Sequence, residues 1–360
     1  MAIPKSLATI TQKMQKKYGE ERVLIASEGL PEVECFSTGS HLLDLAIRTE
    51  NGGFPVGRMV EIYGPEAAGK TTVCLLAIAE IQKEELRKAE LNPKYEEKLC
   101  MFLDAEHTFD KNTAVQYGID LDRLIYINSN TAEESLDIFE GYIRSGLIRL
   151  AVVDSVPALT PSRIEESSMS DATIGLQARL MSTICMKLNG VLAENKTTVL
   201  WINQIRDKIG GYGNPETTPG GRALKFYSSL RLKVSRAEDI KSGDDCIGHV
   251  LKVNVVKNKT GGLPKRVAST SLLYGKGYSR ENEIFNVALQ IGVIVRAGAW
   301  YSLIDSDTGE IMTISGITCK FQGGNRVVEA MEEYPEIYEE VLARVNNFGV
   351  EMEEEDIEED

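Results

Sequence analysis

Residues 58–72 read RMVEIYGPEAAGKTT, and this stretch decides the fold of the chain. Its second half, residues 64–71, fits the pattern G-x-x-x-x-G-K-[ST] of a phosphate-binding loop. Residues 58–63 predict a strand before the loop, and residues 70–82 predict a helix after it. A strand, a glycine-rich turn and a helix in this order favour a nucleotide site over a glycine turn without a ligand.

The residue types in this loop suit a phosphate ligand. Glycines let the backbone curl so that its N–H groups hold phosphate oxygens, and the N-terminus of the following helix adds partial positive charge. We expect Lys70 to reach the β- and γ-phosphates of a nucleotide and the Thr71 hydroxyl to lie on Mg²⁺. The residues predicted to bind the nucleotide are Gly64, Pro65, Glu66, Ala67, Ala68, Gly69, Lys70, Thr71 and Thr72.

The composition places the chain among ordinary globular proteins. Its 360 residues suffice for one large core and a smaller domain. The sequence has no secretory signal pattern, and no apolar stretch approaches the ~20 residues that span a bilayer. Six cysteines are scattered without a C-x-x-C pair, and three histidines lack metal-ligand spacing. These features predict a cytoplasmic protein without disulfides, zinc or membrane contact.

The net charge of −14 argues against nucleic acid as a partner, but the charge is unevenly distributed. Residues 351–360 contain eight acidic side chains and no basic one, and the remaining 46 acidic and 40 basic residues give −6. We expect these ten residues to form a disordered acidic tail. Two roles stay open for it: a solubilising segment, or a competitor of DNA phosphates for a basic groove.

Residues 1–35 are predicted to form a separate helical arm. Leu7, Ile10, Met14 and Tyr18 recur at helical spacing, and Ser6 is the expected N-cap. One isolated amphipathic helix is too short to be stable in water. Its apolar stripe must therefore pack on the protein's own core or on a neighbouring subunit.

Strands and helices alternate over residues 36–278, which predicts an α/β core with a mostly parallel central sheet. The charged residues 83–98 predict a surface helix extension and a loop that turns at Asn92-Pro93. Residues 279–350 are expected to form a small α/β domain. Its last helical stretch, residues 327–348, is predicted to be interrupted near Pro335.

Four predicted strands of this sheet end in polar residues. These ends are the phosphate loop, Asp104 with Glu106, Asp154 with Ser155, and Asn203 with Gln204. In open α/β sheets, ligands bind at the carboxyl ends of the strands. We therefore expect all four ends to converge on one nucleotide.

Three of these side chains have the chemistry that phosphoryl transfer to water requires. Asp154 follows the apolar residues 150–153, the Walker B position, where it would hold Mg²⁺ through water. Glu106 suits the orientation and deprotonation of the attacking water. Gln204 can hydrogen-bond the γ-phosphate and sense its loss. The alternative for Asp154 and Glu106 is that they only cap strand ends.

A long glycine-rich segment, residues 205–221, follows Gln204 directly and begins with Arg206 and Lys208. Long loops inside compact domains are usually functional or disordered. A phosphate sensor that leads into a basic loop predicts a switch that couples the nucleotide state to the binding of a polyanion.

Eight strings along almost the whole chain resemble the RecA recombinases and occur in the order typical of that family. They are EIYGPEAAGKTT (61–72), DAEH (104–107), VVDS (152–155), INQIR (202–206), GNPETT (213–218), ALKFY (223–227), VVKNK (255–259) and GAWYS (298–302). Together they are far more specific than the phosphate loop alone.

The resemblance implies a RecA-type P-loop ATPase core with an N-terminal polymerisation arm and a small C-terminal α/β domain. The implied activity is that of a DNA-dependent ATPase that uses ATP and Mg²⁺. It would form a helical filament on single-stranded DNA, pair that strand with homologous duplex DNA and exchange strands. Single-strand-binding protein and loader proteins are the implied accessory partners.

The resemblance also gives roles to individual residues. Glu106 matches the catalytic glutamate, and Gln204 matches the allosteric switch. The lysine of the phosphate loop, Lys70, is the third residue of the chain's own nucleotide site that is expected to be catalytic. Lys257 and Lys259 match a pair that reaches across the subunit interface to the ATP of the neighbour. Two such cations are costly to hold close together unless phosphates lie between them. Without the resemblance, these are two lysines on one face of a strand, and solvent exposure is the default.

For DNA, the resemblance implies two loops, near residues 165–174 and residues 205–221. Basic side chains there would bind phosphates without sequence preference, and apolar ones would open the base stack. A second basic set would hold duplex DNA. The implied DNA-binding residues are Ile174, Arg179, Arg206, Lys208, Ile209, Gly220 and Gly221, with Arg236 and Lys252 for the duplex.

The chain departs from the family pattern at several positions. Thr113 stands where the family stacks a tyrosine on adenine, although Asp110 can still contact the adenine amino group. Arg222 replaces an asparagine after the paired glycines, and Met186 replaces a DNA-contacting arginine. Tyr212 stands in place of a phenylalanine that packs on the neighbouring subunit. These features indicate a divergent member of the family.

Two other functions remain as hypotheses. A recombination mediator of the same fold would load or regulate another recombinase without exchanging strands itself. The intact Glu106, Gln204, Lys257 and Lys259 argue against it, because a regulator does not need the turnover machinery. A hexameric helicase or related motor would share the phosphate loop but not the strings at 213–218 and 298–302.

Overall fold

The computed structural model describes residues 4–26, 33–47, 52–165, 175–207, 216–262, 266–305 and 308–358. The chain divides into two compact units, Met1–Glu34 and Cys35–Asp360. No helix in these described ranges is both long enough and apolar enough to cross a bilayer.

The first unit contains helix α1 (Lys5–Tyr18), which ends where Gly19 adopts a φ of 104°. Pro4 is the N-cap residue that precedes this helix, and its carbonyl accepts from the backbone N–H groups of Leu7 and Ala8. Ser6 lies inside the first turn, so the expectation that it caps the helix is wrong.

The second unit combines helices with many short strands. Its helices are α2 His41–Ile47, α3 Lys70–Leu91, α4 Lys111–Gln116, α5 Ala132–Arg144, α6 Ser162–Glu165, α7 Leu176–Asn195, α8 Ala223–Tyr227, α9 Arg280–Gln290, α10 Gly324–Glu333 and α11 Pro335–Glu358. Its strands are β1 Cys35–Phe36, β2 Phe54–Pro55, β3 Met59–Gly64, β4 Leu99–Asp104, β5 Leu124–Ile127, β6 Ile148–Asp154, β7 Thr198–Gln204, β8 Arg206–Asp207, β9 Glu216–Thr217, β10 Leu230–Ser242, β11 Asp245–Asn258, β12 Val267–Leu273, β13 Gly277–Tyr278, β14 Ile294–Ala297, β15 Trp300–Leu303, β16 Thr313–Ile314, β17 Ile317–Thr318 and β18 Lys320–Gln322.

The main sheet has the strand order β5-β4-β6-β7-β3-β10-β11-β12-β13 among the described residues. The strands from β5 to β10 run parallel, and β11, β12 and β13 join antiparallel at one edge. The predicted α/β class with a mostly parallel sheet is confirmed. The register pairs Asp104 with Asp154 and Gly64 with Gln204, so the polar ends of β3, β4, β6 and β7 lie at one edge.

Both faces of the central strands are covered, which explains their continuous apolar sequences. On one face, Val60 and Ile62 of β3 belong to the same core as Val73 and Ile78 of α3. On the other face, a second core joins Trp201 of β7 with residues of α5 and α7. This two-sided packing fixes the sheet edge at which the polar residues meet.

The charged residues 83–98 are anchored by one buried carboxylate. Helix α3 continues to Leu91, and the chain then turns back, where Tyr95 Oη donates to Glu85 Oε2 at 2.6 Å. The backbone N–H of Lys98 donates to the same oxygen at 3.1 Å, and the buried Arg149 lies 3.7 Å from Glu85. The segment is a helix extension and loop, and Glu85 ties it to the sheet.

Residues after α9 form a smaller sheet, β14-β15-β18, with a separate apolar core shared by α9, α10 and α11. The helical stretch is interrupted at Tyr334, and Pro335 starts α11, where proline is tolerated. Helix α11 continues to Glu358, so the backbone of residues 351–358 is helical instead of the expected disordered tail. Glutamate has a high helix propensity, whereas the like charges and the negative end of the helix dipole oppose this conformation.

Candidate nucleotide-binding site

The phosphate loop depends on backbone conformations that its small residues permit. At Gly64, a Cβ atom would collide with the carbonyl of Val234 on the neighbouring β10. Ala67 and Gly69 have φ angles of 54° and 89°, in the left-handed region. These conformations curl the chain from the end of β3 into the first turn of α3.

Lys70 is buried at the start of α3, and its Nζ donates to the Pro65 carbonyl at 2.6 Å. Burial lowers the pKa of this lysine, while the carboxylates of Asp154 and Glu106 oppose the shift. The ammonium is therefore folded back on its own loop, at the position where phosphate oxygens would replace the carbonyl.

Thr71 and Asp154 form a direct pair, because Thr71 Oγ1 donates to Asp154 Oδ2 at 2.7 Å. Burial raises the pKa of Asp154 to about 6, although the bond from Thr71 favours the charged form. A buried carboxylate beside a hydroxyl fits Mg²⁺, which proteins hold through one or two carboxylates together with substrate phosphates. In the described residues, no group of three or more His, Cys, Asp or Glu side chains is placed to hold a metal.

Glu106 and Gln204 lie in contact beside this pair. The Glu106 carboxylate accepts from Ser155 Oγ and, at 3.4 Å, from Gln204 Nε2. The backbone N–H of Glu106 donates to the Asp154 carbonyl at 3.3 Å. The ends of β4, β6 and β7 thus bring the predicted proton acceptor and the predicted phosphate sensor together. Ser155 was predicted to lie at a polar strand end, but its hydrogen bond to Glu106 was not predicted.

Asp104 does not take part in this cluster. Its carboxylate accepts from the backbone N–H groups of Thr108 and Phe109, at 3.2 and 2.9 Å, and from Tyr126 Oη at 3.0 Å. It therefore fixes the turn that follows β4, and the expectation that every polar strand end meets the nucleotide is wrong for this residue.

Asn203 is also used structurally. Its Nδ2 donates to Glu61 Oε1 at 2.9 Å and to the Pro219 carbonyl at 3.2 Å. Glu61 is fully buried in β3 and pairs with Arg231 Nε at 2.5 Å. This network of Asn203, Glu61 and Arg231 was not predicted from the sequence. Its signal in the sequence is the acidic Glu61 within an otherwise apolar strand. It links the centre of the sheet to the segment that precedes Gly220.

A cavity of about 310 Å³ opens beside the loop. Residues 67–72 form one wall, and the other lining residues are Tyr117, Arg236, His249, Leu272 and Tyr274. Apart from Arg236, which was expected to bind DNA, these lining residues were not predicted. They come from the end of α4, from β10, β11 and β12, and from the turn after β12, so no local pattern indicates them.

Asp110 is exposed and caps α4. Its carboxylate accepts from the backbone N–H of Thr113 at 2.8 Å and from Thr113 Oγ1 at 2.5 Å, and these bonds lower the pKa of Asp110. Thr113 stands where the family has a tyrosine that stacks on adenine. Instead of presenting an aromatic ring, it donates a hydrogen bond to Asp110, the residue predicted to contact the adenine amino group.

Lys257 and Lys259 lie away from the phosphate-loop cavity. Lys257 Nζ donates to three backbone carbonyls at the end of α8, those of Lys225, Phe226 and Ser228, at 2.7, 3.1 and 2.5 Å. Burial, then the charge of Lys259, lowers the pKa of Lys257 to about 8. Lys259 is exposed and lines a second cavity of about 370 Å³ near the start of β3.

Of the implied DNA-binding residues, Ile174, Lys208 and Ile209 lie outside the described residues. Gly220 and Gly221 have φ angles of 82° and 77° and pack on other elements, so that side chains there would press on Val156 and Ala178. The implied basic residues of this surface, Arg179 and Arg206, are exposed.

The implied duplex-binding pair, Arg236 and Lys252, is not brought together. Lys252 pairs with Ser235 across β10 and β11, so Arg236 points to the opposite face of these strands. Arg236 pairs with Asp239 at 2.6 Å and lines the phosphate-loop cavity. Lys252 is exposed on β11.

Known proteins resemble this chain over most of its length. A family model described as the RecA N-terminal domain matches residues 5–279. Protein RecA of Staphylococcus aureus, in strains JH9, Newman and N315, is 43% identical over 339 residues. In each case, the match covers 94% of this chain and 90% of the relative.

Proposed function

The chain belongs to the RecA family, and we propose that the cavity beside its phosphate loop binds ATP together with Mg²⁺. The protein is a DNA-dependent ATPase and a recombinase. It forms filaments on single-stranded DNA and catalyses homologous pairing and strand exchange. No feature of the described residues favours the mediator hypothesis.

The contact between Glu106 and Gln204, beside the Thr71–Asp154 pair, is the observation that most supports this ATP site. A carboxylate that only capped a strand end would accept from the backbone N–H groups of the following turn, as Asp104 does in addition to its bond from Tyr126. Glu106 instead accepts from two side chains at the edge of the sheet where ligands bind.

In the proposed mechanism, Lys70 exchanges the Pro65 carbonyl for oxygens of the β- and γ-phosphates. Thr71 and Asp154 would hold Mg²⁺, which when bound neutralises phosphate charge. Glu106 accepts a proton from water as the water oxygen attacks the γ-phosphorus. The bond from this phosphorus to the bridging oxygen breaks, and ADP leaves.

Gln204 couples this site to the DNA-binding segment. The next strand, β8, begins two residues after Gln204 and pairs with β9 through Arg206 and Thr217. Asn203 holds the Pro219 carbonyl at the other end of the same segment. A movement of Gln204 between Glu106 and the γ-phosphate would therefore be passed to the strand β8, at the start of the segment that would contact DNA, while Asn203 anchors the other end.

Lys257 and Lys259 would act on the ATP of a neighbouring subunit. Lys259 lies with Arg58 near the start of β3, whereas the phosphate loop begins at the end of this strand, about 20 Å away. Lys259 is thus too distant to serve the loop of its own chain, and Lys257 Nζ is bonded to carbonyls at the end of α8. A head-to-tail neighbour would bring its loop to them, and such contacts build open filaments.

For DNA, we propose phosphate contacts from Arg179 and Arg206 together with Lys208, and backbone contacts from Gly220 and Gly221. Ile174 and Ile209 would separate groups of bases, and Lys252 would contribute to duplex binding. Asp110 would contact adenine. Single-strand-binding protein and loader proteins would be accessory partners.

The first test is ATP turnover with and without single-stranded DNA. We expect stimulation by DNA in the natural protein, and loss of ATP binding and turnover in Lys70→Ala because the phosphate-binding ammonium is gone. Lys83→Ala is the matched control, since it removes an exposed ammonium from the same helix. Absence of stimulation at every salt concentration would contradict the proposal.

The second test is electron microscopy with single-stranded DNA and a non-hydrolysable ATP analogue. Helical filaments that require the analogue are expected. Rings would favour a hexameric motor, and protein that binds the strand equally well without nucleotide would contradict an ATP-dependent interface. A strand-exchange assay with the purified protein separates a recombinase from a mediator.

A further inference from the structure

The strands β10 and β11 lie against the phosphate loop and bring an arginine to its cavity. Arg236 of β10 pairs with Leu251 of β11, and residues directly opposite one another in an antiparallel pair share one face of the sheet. Leu251 lies on the face next to the loop, since its Cδ1 is 3.0 Å from the position that a Cβ atom of Gly69 would occupy. Arg236 therefore projects from the face next to the loop, and it lines the cavity together with residues 67–72.

A second polar residue of β11 lines the same cavity. His249 is 3% exposed, and neither of its ring nitrogens has a hydrogen-bond partner among the described residues. Its Nε2 is 3.6 Å from the position of a Gly69 Cβ atom. Burial, and then the positive charge of Arg236, lower the pKa of His249. Since buried polar atoms are usually hydrogen-bonded, a guanidinium beside this imidazole gives the wall two groups suited to a ligand rich in oxygen.

Arg236 is held by an exposed carboxylate. Its Nε and Nη2 donate to Asp239 Oδ1 at 3.0 and 2.6 Å, and Nη2 also lies 3.8 Å from Cys246 Sγ. Both partners of the ion pair are exposed to solvent, and exposed pairs contribute little to stability because water screens their charges. The guanidinium can therefore exchange Asp239 for another anion at small cost.

Phosphate is the anion that suits this position. The loop of residues 67–72 would hold phosphates within the cavity, and guanidinium groups bind phosphate oxygens through two parallel hydrogen bonds. We propose that Arg236 is a nucleotide-binding residue, whose guanidinium leaves Asp239 and donates to a phosphate oxygen of the bound nucleotide. The resemblance instead implies a duplex contact for Arg236 together with Lys252, which lies on the opposite face of the strands. This inference rests on the ATP site of the proposed function and adds a residue to it.

The test measures the Kd for ADP by calorimetry, in the absence of DNA. For Arg236→Gln, we expect Kd to rise about tenfold, because a charge-assisted hydrogen bond to phosphate is lost. Lys241→Gln is the matched control, since it removes another exposed positive charge from β10 and should keep the natural Kd. Thermal unfolding checks that each variant is folded.

Asp239→Asn separates a phosphate contact from simple neutralisation of Asp239. Alone, it frees the guanidinium and removes a competing anion, so Kd should fall by about two- to fivefold. If Arg236 bonds the phosphate, adding Arg236→Gln to Asp239→Asn still raises Kd about tenfold. If Arg236 only neutralises Asp239, the added substitution has no effect.

Arg236→Lys keeps one charge but loses the paired N–H groups, and we expect Kd to rise about threefold. Should Arg236→Gln fail to fold, this variant decides by the same criteria. The inference is overturned if the folded variant binds ADP with the natural Kd, or if its loss disappears in the Asp239→Asn background. Natural ADP binding together with weaker duplex capture would favour the duplex contact. Failure of the natural protein to bind ADP would instead contradict the proposed function.

Discussion

Glu106 accepts hydrogen bonds from Ser155 and Gln204 and is the proposed proton acceptor for the water that attacks the phosphate. Glu106→Gln keeps the size of the side chain but removes the proton acceptor. We expect kcat for ATP hydrolysis to fall by about 10²–10⁴-fold while ATP binding is retained. Steady-state turnover and calorimetric titration with ATP measure the two quantities.

Asp104→Asn is the matched control for this variant, because it changes a carboxylate two residues away. Asp104 accepts from the backbone N–H groups of Thr108 and Phe109, so its loss should lower the melting temperature more than kcat. If folded Asp104→Asn loses turnover as completely as Glu106→Gln, the separate role of Glu106 is wrong.

The environment of Lys257 makes its charge sensitive to pH near neutrality. Burial and the neighbouring Lys259 lower the pKa of Lys257 to about 8, so its charge is present below pH 8 and lost above it. A triphosphate favours the charged form. We expect ATP-dependent assembly to weaken between pH 8 and pH 9, as followed by light scattering.

Lys257→Arg tests this assignment because a guanidinium stays charged throughout that range. The variant is expected to assemble with a smaller loss between pH 8 and pH 9 than the natural protein, whereas Lys259→Arg should follow the natural profile. Equal losses in the natural protein and in Lys257→Arg would assign the pH dependence to another group.

At the scale of elements, the junction between β3 and β10 limits the phosphate loop to glycine at its first position. Gly64→Ala would push a methyl group into the Val234 carbonyl and separate the two strands. We expect a loss of about 1–3 kcal/mol in unfolding free energy and weaker ATP binding. Chemical denaturation and ATP titration measure these effects.

Gly141→Ala is the control, because a Cβ at this position of α5 has no neighbour within 4 Å. Alanine should raise the stability of the helix by up to about 1 kcal/mol. If Gly64→Ala were as stable as Gly141→Ala, the Val234 carbonyl would not be what restricts residue 64 to glycine.

The elements that could be predicted from the sequence are those that a short, continuous stretch of residues specifies. The strand, loop and helix over residues 58–82 and the apolar strands ending at Asp154 and Gln204 follow from short patterns. Parallel strands then place their carboxyl ends at one edge, which explains why Glu106 and Gln204 could be expected to meet.

Contacts between remote segments could not be predicted. Tyr274 and His249 reach the phosphate-loop cavity from antiparallel strands and their connections, whose register no local pattern specifies. The carbonyls that accept from Lys257 depend on where α8 ends against β11. The burial of Glu61 and its ion pair with Arg231 could not be predicted either. Both depend on the strand order that places β3 beside β10, and these strands are far apart in the sequence.

At the scale of the whole molecule, the proposal that Lys257 and Lys259 act on the ATP of a neighbour implies an ATP site that is incomplete in a single chain. The phosphate loop lies at one end of β3, and Lys259 lies near the other. A chain that carries the two halves of a site on separate surfaces completes it only with a second copy. Repetition of this heterologous contact gives a filament, which agrees with the family's activity.

The acidic end of the chain affects the charge of every subunit in such a filament. A chain that ends at Val350 has a net charge of −6 instead of −14 and keeps Ile337, Val341 and Val345 of the C-terminal core. We expect deletion of residues 351–360 to increase duplex capture at low magnesium, because an acidic competitor for basic surfaces is removed. The melting temperature should remain the same. Duplex capture is measured across magnesium concentrations, and an unchanged profile would identify the segment as a solubiliser only.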